Sequence, residues 1–79
     1  MTQIIEVCDN LELVLNKAIY EFRKEYEVNP HIIFGKKAAN LLTPSPDWIV
    51  TAVGEGRVHN YKGISCEYEP DLDCVILKG

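Results

Sequence analysis

The sequence predicts an α+β fold: one long helix packed on a small mixed or antiparallel sheet, in the rough order β-α-β-α-β-β-β-β. Three observations predict it. A strongly periodic segment runs from Asn10 to Glu27, short β-branched runs flank it, and the last third alternates apolar and polar residues between turn signals. At 79 residues, 1–79 makes one domain. A helix alone cannot bury an apolar stripe, so a sheet must cover it.

Thr2 to Cys8 reads as a strand, with Ile5 and Val7 alternating with Ile4, Glu6 and Cys8. An apolar residue on each of its faces predicts partial cover on both sides. In the long helix, Leu11, Val14, Leu15, Ala18, Ile19, Phe22 and Tyr26 fall in steps of three and four along one stripe. Asp9 as N-cap and Glu12 three residues on predict a capping box. Asn29-Pro30 predicts the stop, because a residue before proline is pushed out of the helical region. His31 to Phe34 is a short apolar run, read as a buried strand parallel to the first and joined to it by a right-handed crossover.

Lys36 to Leu42 predicts a short helix, and Thr43-Pro44-Ser45-Pro46 a rigid, extended connector. Asp47 to Val53 opens like a helix, but Trp48, Ile49, Val50, Thr51 and Val53 favour a strand. Gly54-Glu55-Gly56 predicts a turn. Arg57 to Asn60 follows as a strand, and Tyr61-Lys62-Gly63 turns the chain again. Ile64, Cys66 and Tyr68 then alternate with Ser65, Glu67 and Glu69, the half-buried strand pattern. Pro70-Asp71-Leu72-Asp73 makes a further turn, and Cys74 to Leu77 reads as an interior strand.

Composition narrows the function. A net charge of -4, with dispersed Lys and Arg, argues against nucleic-acid binding through phosphate contacts. No apolar run is long enough to span a bilayer. MTQIIEVCDN lacks the pattern of a signal peptide. Three cysteines without CxxC spacing fit a reduced, cytoplasmic chain.

No cofactor or metal is expected. His59, Cys66 and Cys74 are candidate ligands across the meander, but zinc sites carry tight ligand pairs that are missing here. Cys8, just ahead of a helix N-terminus, is the best-placed thiol for nucleophilic chemistry, with His31 and His59 the only imidazoles. Glu67, Glu69, Asp71 and Asp73 put four carboxylates at alternate positions, with no Lys or Arg from Ile64 to Leu77. The first two share the solvent side of a strand. Such a cluster makes an acidic partner face or a solvated edge that discourages pairing with other chains. Lys36 and Lys37 oppose the dipole of the helix they begin, so a carboxylate or other anion would relieve them. Tyr61 is a candidate interface anchor. These seven residues form the candidate partner surface.

The stretches Asn29-Pro30-His31-Ile32-Ile33-Phe34, Ala38-Ala39-Asn40-Leu41-Leu42, Tyr61-Lys62-Gly63-Ile64-Ser65-Cys66 and Pro70 to Leu77 follow one another in a telling order. From residue 29 to 78 that order resembles the axial-domain region of HK97-type phage major capsid proteins. The family's long spine helix, extended loop and N-terminal arm have no counterpart here. The resemblance therefore implies a free-standing piece of that architecture: a small phage or prophage protein that binds a capsid part or a host protein.

The leading expectation is a small non-enzymatic interaction or structural protein of phage or prophage origin, located in the host cytoplasm or the virion. Its partner is a protein of unstated identity. The alternative is a small cytosolic ligand-binding domain or cysteine-dependent enzyme using Cys8, His31 or His59. A third reading is a homo-oligomer joined through an exposed meander edge.

Overall fold

A computed structural model describes residues 2–54 and 56–79, apart from the Val53 side chain. The chain runs β1 (Thr2–Glu6), α1 (Leu11–Tyr26), β2 (His31–Phe34), α2 (Lys36–Leu42), β3 (Trp48–Val53), β4 (Gly56–Tyr61), β5 (Ile64–Tyr68) and β6 (Cys74–Lys78). The six strands form one mixed sheet in the order β1-β6-β2-β5-β4-β3. The predicted Gly54-Glu55-Gly56 turn falls partly outside the described residues.

The expected architecture packed one long helix on the sheet; the short helix predicted at Lys36–Leu42 packs there as well. Ala38 and Leu42 of α2 join Leu11, Leu15, Ala18 and Ile19 of α1 in a single core. The sheet residues in that core, among them Ile5, Val75, Leu77, Ile32 and Phe34, all point to one side, so both helices lie on the same face. β1 and β2 run parallel, as expected, but they are not neighbours in the sheet. β6 lies between them, antiparallel to both, so β1 and β2 run the same way without touching. The continuous apolar run of β6 fits its interior place: Val75 and Leu77 are fully buried under the helices. β2 pairs instead with β5, the one parallel contact in the sheet.

The stripe of α1 buries Leu11, Leu15, Ala18, Ile19 and Phe22, while Val14 and Tyr26 lie at its exposed margins. The capping box is absent. Asn10 is the N-cap, Leu11 N–H already donates to Cys8 O, and Glu12 is thus one position too early to reach back. The Asn10 side-chain oxygen accepts from the Cys8 thiol at 3.0 Å. The helix ends before Asn29-Pro30, where Glu27 enters the left-handed region at φ 58° and its N–H closes on Arg23 O.

The predicted extended connector is also corrected. After Thr43, which is still helical, Ser45 N–H donates to Leu42 O and Trp48 N–H to Ser45 O, folding the prolines into compact turns. Ser45 is buried there, and its hydroxyl oxygen accepts from Asp47 N–H. Residues 48–53 are a strand, as their β-branched content favours. The β4–β5 hairpin turns on Lys62 and Gly63 alone, with φ of 52° and 79°. Two successive left-handed residues make the turn whose twist matches that of the strands.

Tyr61, expected on a partner surface, is instead fully buried. Its ring stands opposite Trp48 across β3–β4, and its hydroxyl donates to Asn16 Oδ1. It ties α1 to the far half of the sheet.

Candidate functional site

Because both helices occupy one face, the other face has no covering layer among the described residues. β1 has an apolar residue on each side, but only Ile5 is covered, and Ile4 is 65% exposed. Ile4 stands opposite Ile76, Ile76 opposite Ile33, and Ile33 opposite Glu67, so one row crosses four strands. Ile33 and Ile76 are half-buried by their neighbours in the sheet. Charged residues flank this row: Glu6 on one side, and Lys78 opposite His31 on the other. His31 Nε2 lies 3.1 Å from Glu67 Oε1, an exposed contact worth less than about 1 kcal/mol. Farther along the same face lie Ile49 and Val58, 54% and 40% exposed. A contiguous apolar patch with a polar rim is the surface character of a protein-binding site.

The residues singled out in the sequence divide around this face. Glu67 belongs to its rim. Glu69 lies beyond the end of β5, so it does not share a strand face with Glu67; its N–H continues the parallel ladder by donating to Phe34 O. Asp71 and Asp73 follow in the loop to β6, exposed. Lys36 and Lys37 open α2 beside this loop, because Gly35 packs against the Leu72 backbone. No ion pair joins these lysines to the acidic loop among the described residues; the pairs there are His31–Glu67 and Lys62–Asp47.

The candidate metal ligands do not converge. His59 and Cys66 are cross-strand neighbours on the helix side, while Cys74 lies on β6 with its side chain toward the open face. Among the described residues no group of three or more His, Cys, Asp and Glu is placed to hold a metal. Burial pushes the Cys66 thiol up to about 11, against a weaker opposing backbone hydrogen bond, so it stays protonated at neutral pH. Cys8 is exposed, past the Glu6–Cys74 end of β1, whereas His31 sits at the opposite, Thr2–Lys78 end. Iodoacetamide at neutral pH should therefore label Cys8 readily and leave Cys66 untouched until the protein unfolds. Mass spectrometry of the labelled peptides reads both rates, and rapid native labelling of Cys66 would contradict this packing.

One feature escaped the sequence reading. On the helix side a row of side chains crosses the whole sheet: Gln3, Leu77, Ile32, Cys66, His59 and Val50. The helices cover its middle but not its β4–β3 end. A groove of about 500 Å³ opens there between the sheet and α2. Trp48, Val50, His59 and Tyr68 line it with Arg57, and Ala39 and Thr43 of α2 form its far wall. The sequence signal was the alternation of Trp48 with Val50 and of Arg57 with His59.

Comparisons with family models, with curated proteins and with solved structures find no match to this chain. No helix among the described residues is long and apolar enough to cross a membrane.

Proposed function

We propose that the chain is a small non-enzymatic interaction protein that docks a protein partner on the open face of its sheet. The observation that carries this reading is the uncovered row Ile4–Ile76–Ile33 with its charged rim of Glu6, Lys78, His31 and Glu67. Covering three aliphatic side chains there would stabilise a complex, while the rim sets orientation and partner choice. The acidic loop of Glu69, Asp71 and Asp73, and Lys36 and Lys37 beside it, extend the surface at one end. The order of elements from residue 29 to 78 supports a phage or prophage origin and action in the host cytoplasm or the virion. A capsid part or a host protein is the partner class that this origin favours.

The test is capture by the tagged protein from bacterial lysate, with and without phage infection, read by mass spectrometry. One dominant partner that resists salt and is lost with Ile4→Glu supports the reading. Ile4 is exposed, so the substitution should leave the fold intact. Capture that is indifferent to Ile4→Glu moves the surface elsewhere, and failure to capture any protein from either lysate counts against the reading.

A further inference from the structure

We propose that the groove beside α2 is a binding site for a small aromatic carboxylate, a planar apolar body bearing a single negative charge. This inference is independent of the partner surface, which lies on the opposite face of the sheet.

Its volume of about 500 Å³ is that of a small-molecule site. Its walls are aromatic. The Phe34 ring, fully buried, holds three others around it: Trp48 edge-on at 4.5 Å, His59 at 5.2 Å and Tyr68 at 5.4 Å between centroids. His59 stands between Trp48 and Tyr68, 5.8 and 5.7 Å from them and tilted by 39° and 35°. Tyr68 and Val50 remain 41% and 44% exposed, so apolar surface is left for a guest to cover. A planar ring offers both stacking and edge contacts to such walls, which a flexible aliphatic chain does not.

The polar groups fix the charge of that guest. Among the described residues, Arg57 is the one charged side chain lining the groove, and none of them forms an ion pair with it. A guanidinium presents a fork that matches a carboxylate with two parallel hydrogen bonds. The α2 wall ends at Thr43, the carbonyl end of the helix, which brings no positive charge to the groove. One guanidinium with no second cation among the described residues of the groove suits a monoanionic carboxylate and not a phosphate dianion. The Thr43 hydroxyl already donates to Ala39 O, so its remaining capacity is as an acceptor. His59 Nδ1 is buried without a hydrogen-bond partner among the described residues. The ring packs among Phe34, Trp48 and Tyr68, which fixes the wall it presents to the groove.

Trp48 is the only tryptophan in the chain, so its indole N–H is a single, unambiguous probe of the groove. The experiment titrates the ¹⁵N-labelled 79-residue protein with phenylacetate, 4-methylbenzoate and indole-3-acetate, and with phenylacetamide as the neutral control. The expected result is a saturable shift of the Trp48 indole signal and of the Val50, His59 and Tyr68 amides by at least one acid. The amide should bind roughly tenfold or more weakly, because it lacks the charge-assisted contact. Arg57→Gln, at an exposed position, should keep the dispersed spectrum of the folded protein and bring that acid down to the affinity of the amide. The proposal is overturned if no acid gives a saturable shift at Trp48. It is equally overturned if the shifts map outside the groove, or if acid and amide bind alike and Arg57→Gln changes neither.

Discussion

Gly35→Ala is expected to destabilise the protein by about 3 kcal/mol or more, at the upper end of overpacking effects. The backbone at Gly35, with φ -99° and ψ -176°, is extended and open to any residue, so conformation is not the obstacle. Space is. A Cβ there would sit 1.9 Å from the Leu72 carbonyl oxygen and 2.7 Å from its carbon. Both are backbone atoms, and their loop is pinned by Glu69 N–H to Phe34 O and by Leu72 N–H to Glu69 O. Making room means moving the loop and losing the bond that extends the β2–β5 ladder. A chain of 79 residues has a total stability of only about 4–12 kcal/mol, so the loss would approach the whole of it at the low end. Urea denaturation measures this as a lower midpoint at unchanged slope. A change of less than about 0.5 kcal/mol, the size of an ordinary surface substitution, would show that the loop does not press on Gly35.

Tyr61→Ala is expected to cost about 3–5 kcal/mol, the range for emptying a large aromatic site, and Tyr61→Phe about 1 kcal/mol for the lost bond to Asn16. The same residue predicts a pH dependence. Burial, reinforced by the negative charges of Glu12 and Asp47 and partly offset by the Asn16 hydrogen bond, raises the Tyr61 hydroxyl from 10.0 to about 12. The folded protein thus holds this proton where the unfolded chain has released it. The contribution is fully present below pH 10.0 and is lost as the pH rises toward about 12. Cys66 behaves likewise between 9.0 and about 11. Stability should therefore stay level through neutral pH and fall above about pH 9, by on the order of 2 kcal/mol for each group. Tyr61→Phe should remove the upper part of that fall. Equal alkaline losses in the wild type and in Tyr61→Phe would contradict the account.

The local elements were legible because their signals are local. The Leu11-Leu15-Ala18-Ile19-Phe22 stripe specifies α1 without reference to any other segment. The Ile64–Cys66 alternation and the Lys62-Gly63 turn do the same for the β4–β5 hairpin. What the sequence concealed depends on partners distant along the chain. Nothing near β1 or β2 reveals that β6, some forty residues beyond β2, comes to lie between them. Ile4 looked covered because a strand's pattern tells its two faces apart but not which of them a second layer reaches. Tyr61 looked exposed because it precedes a turn, yet it is the last inward position of β4 and lies beneath Asn16 of α1. The acidic run from Glu67 to Asp73 read as one cluster, whereas the end of β5 divides it. The alternation of Trp48 with Val50 and of Arg57 with His59 marks part of the groove, but its walls come from α2, β3, β4 and β5 together, which no single segment reveals.

The central claim is that the helices cover one face of the sheet and leave the other for a partner. The eight isoleucines test it most directly, because they sort by face. Ile4, Ile33, Ile49 and Ile76 lie on the open side, and Ile5, Ile19, Ile32 and Ile64 in the core. A methyl-resolved spectrum of the isoleucine-labelled protein, recorded as unlabelled bacterial lysate or a captured partner is added, reads both sets at once. The account predicts broadening or shifts centred on Ile4, Ile33 and Ile76, with the core set unchanged. Changes centred on the core set, or none in the open set, would contradict it.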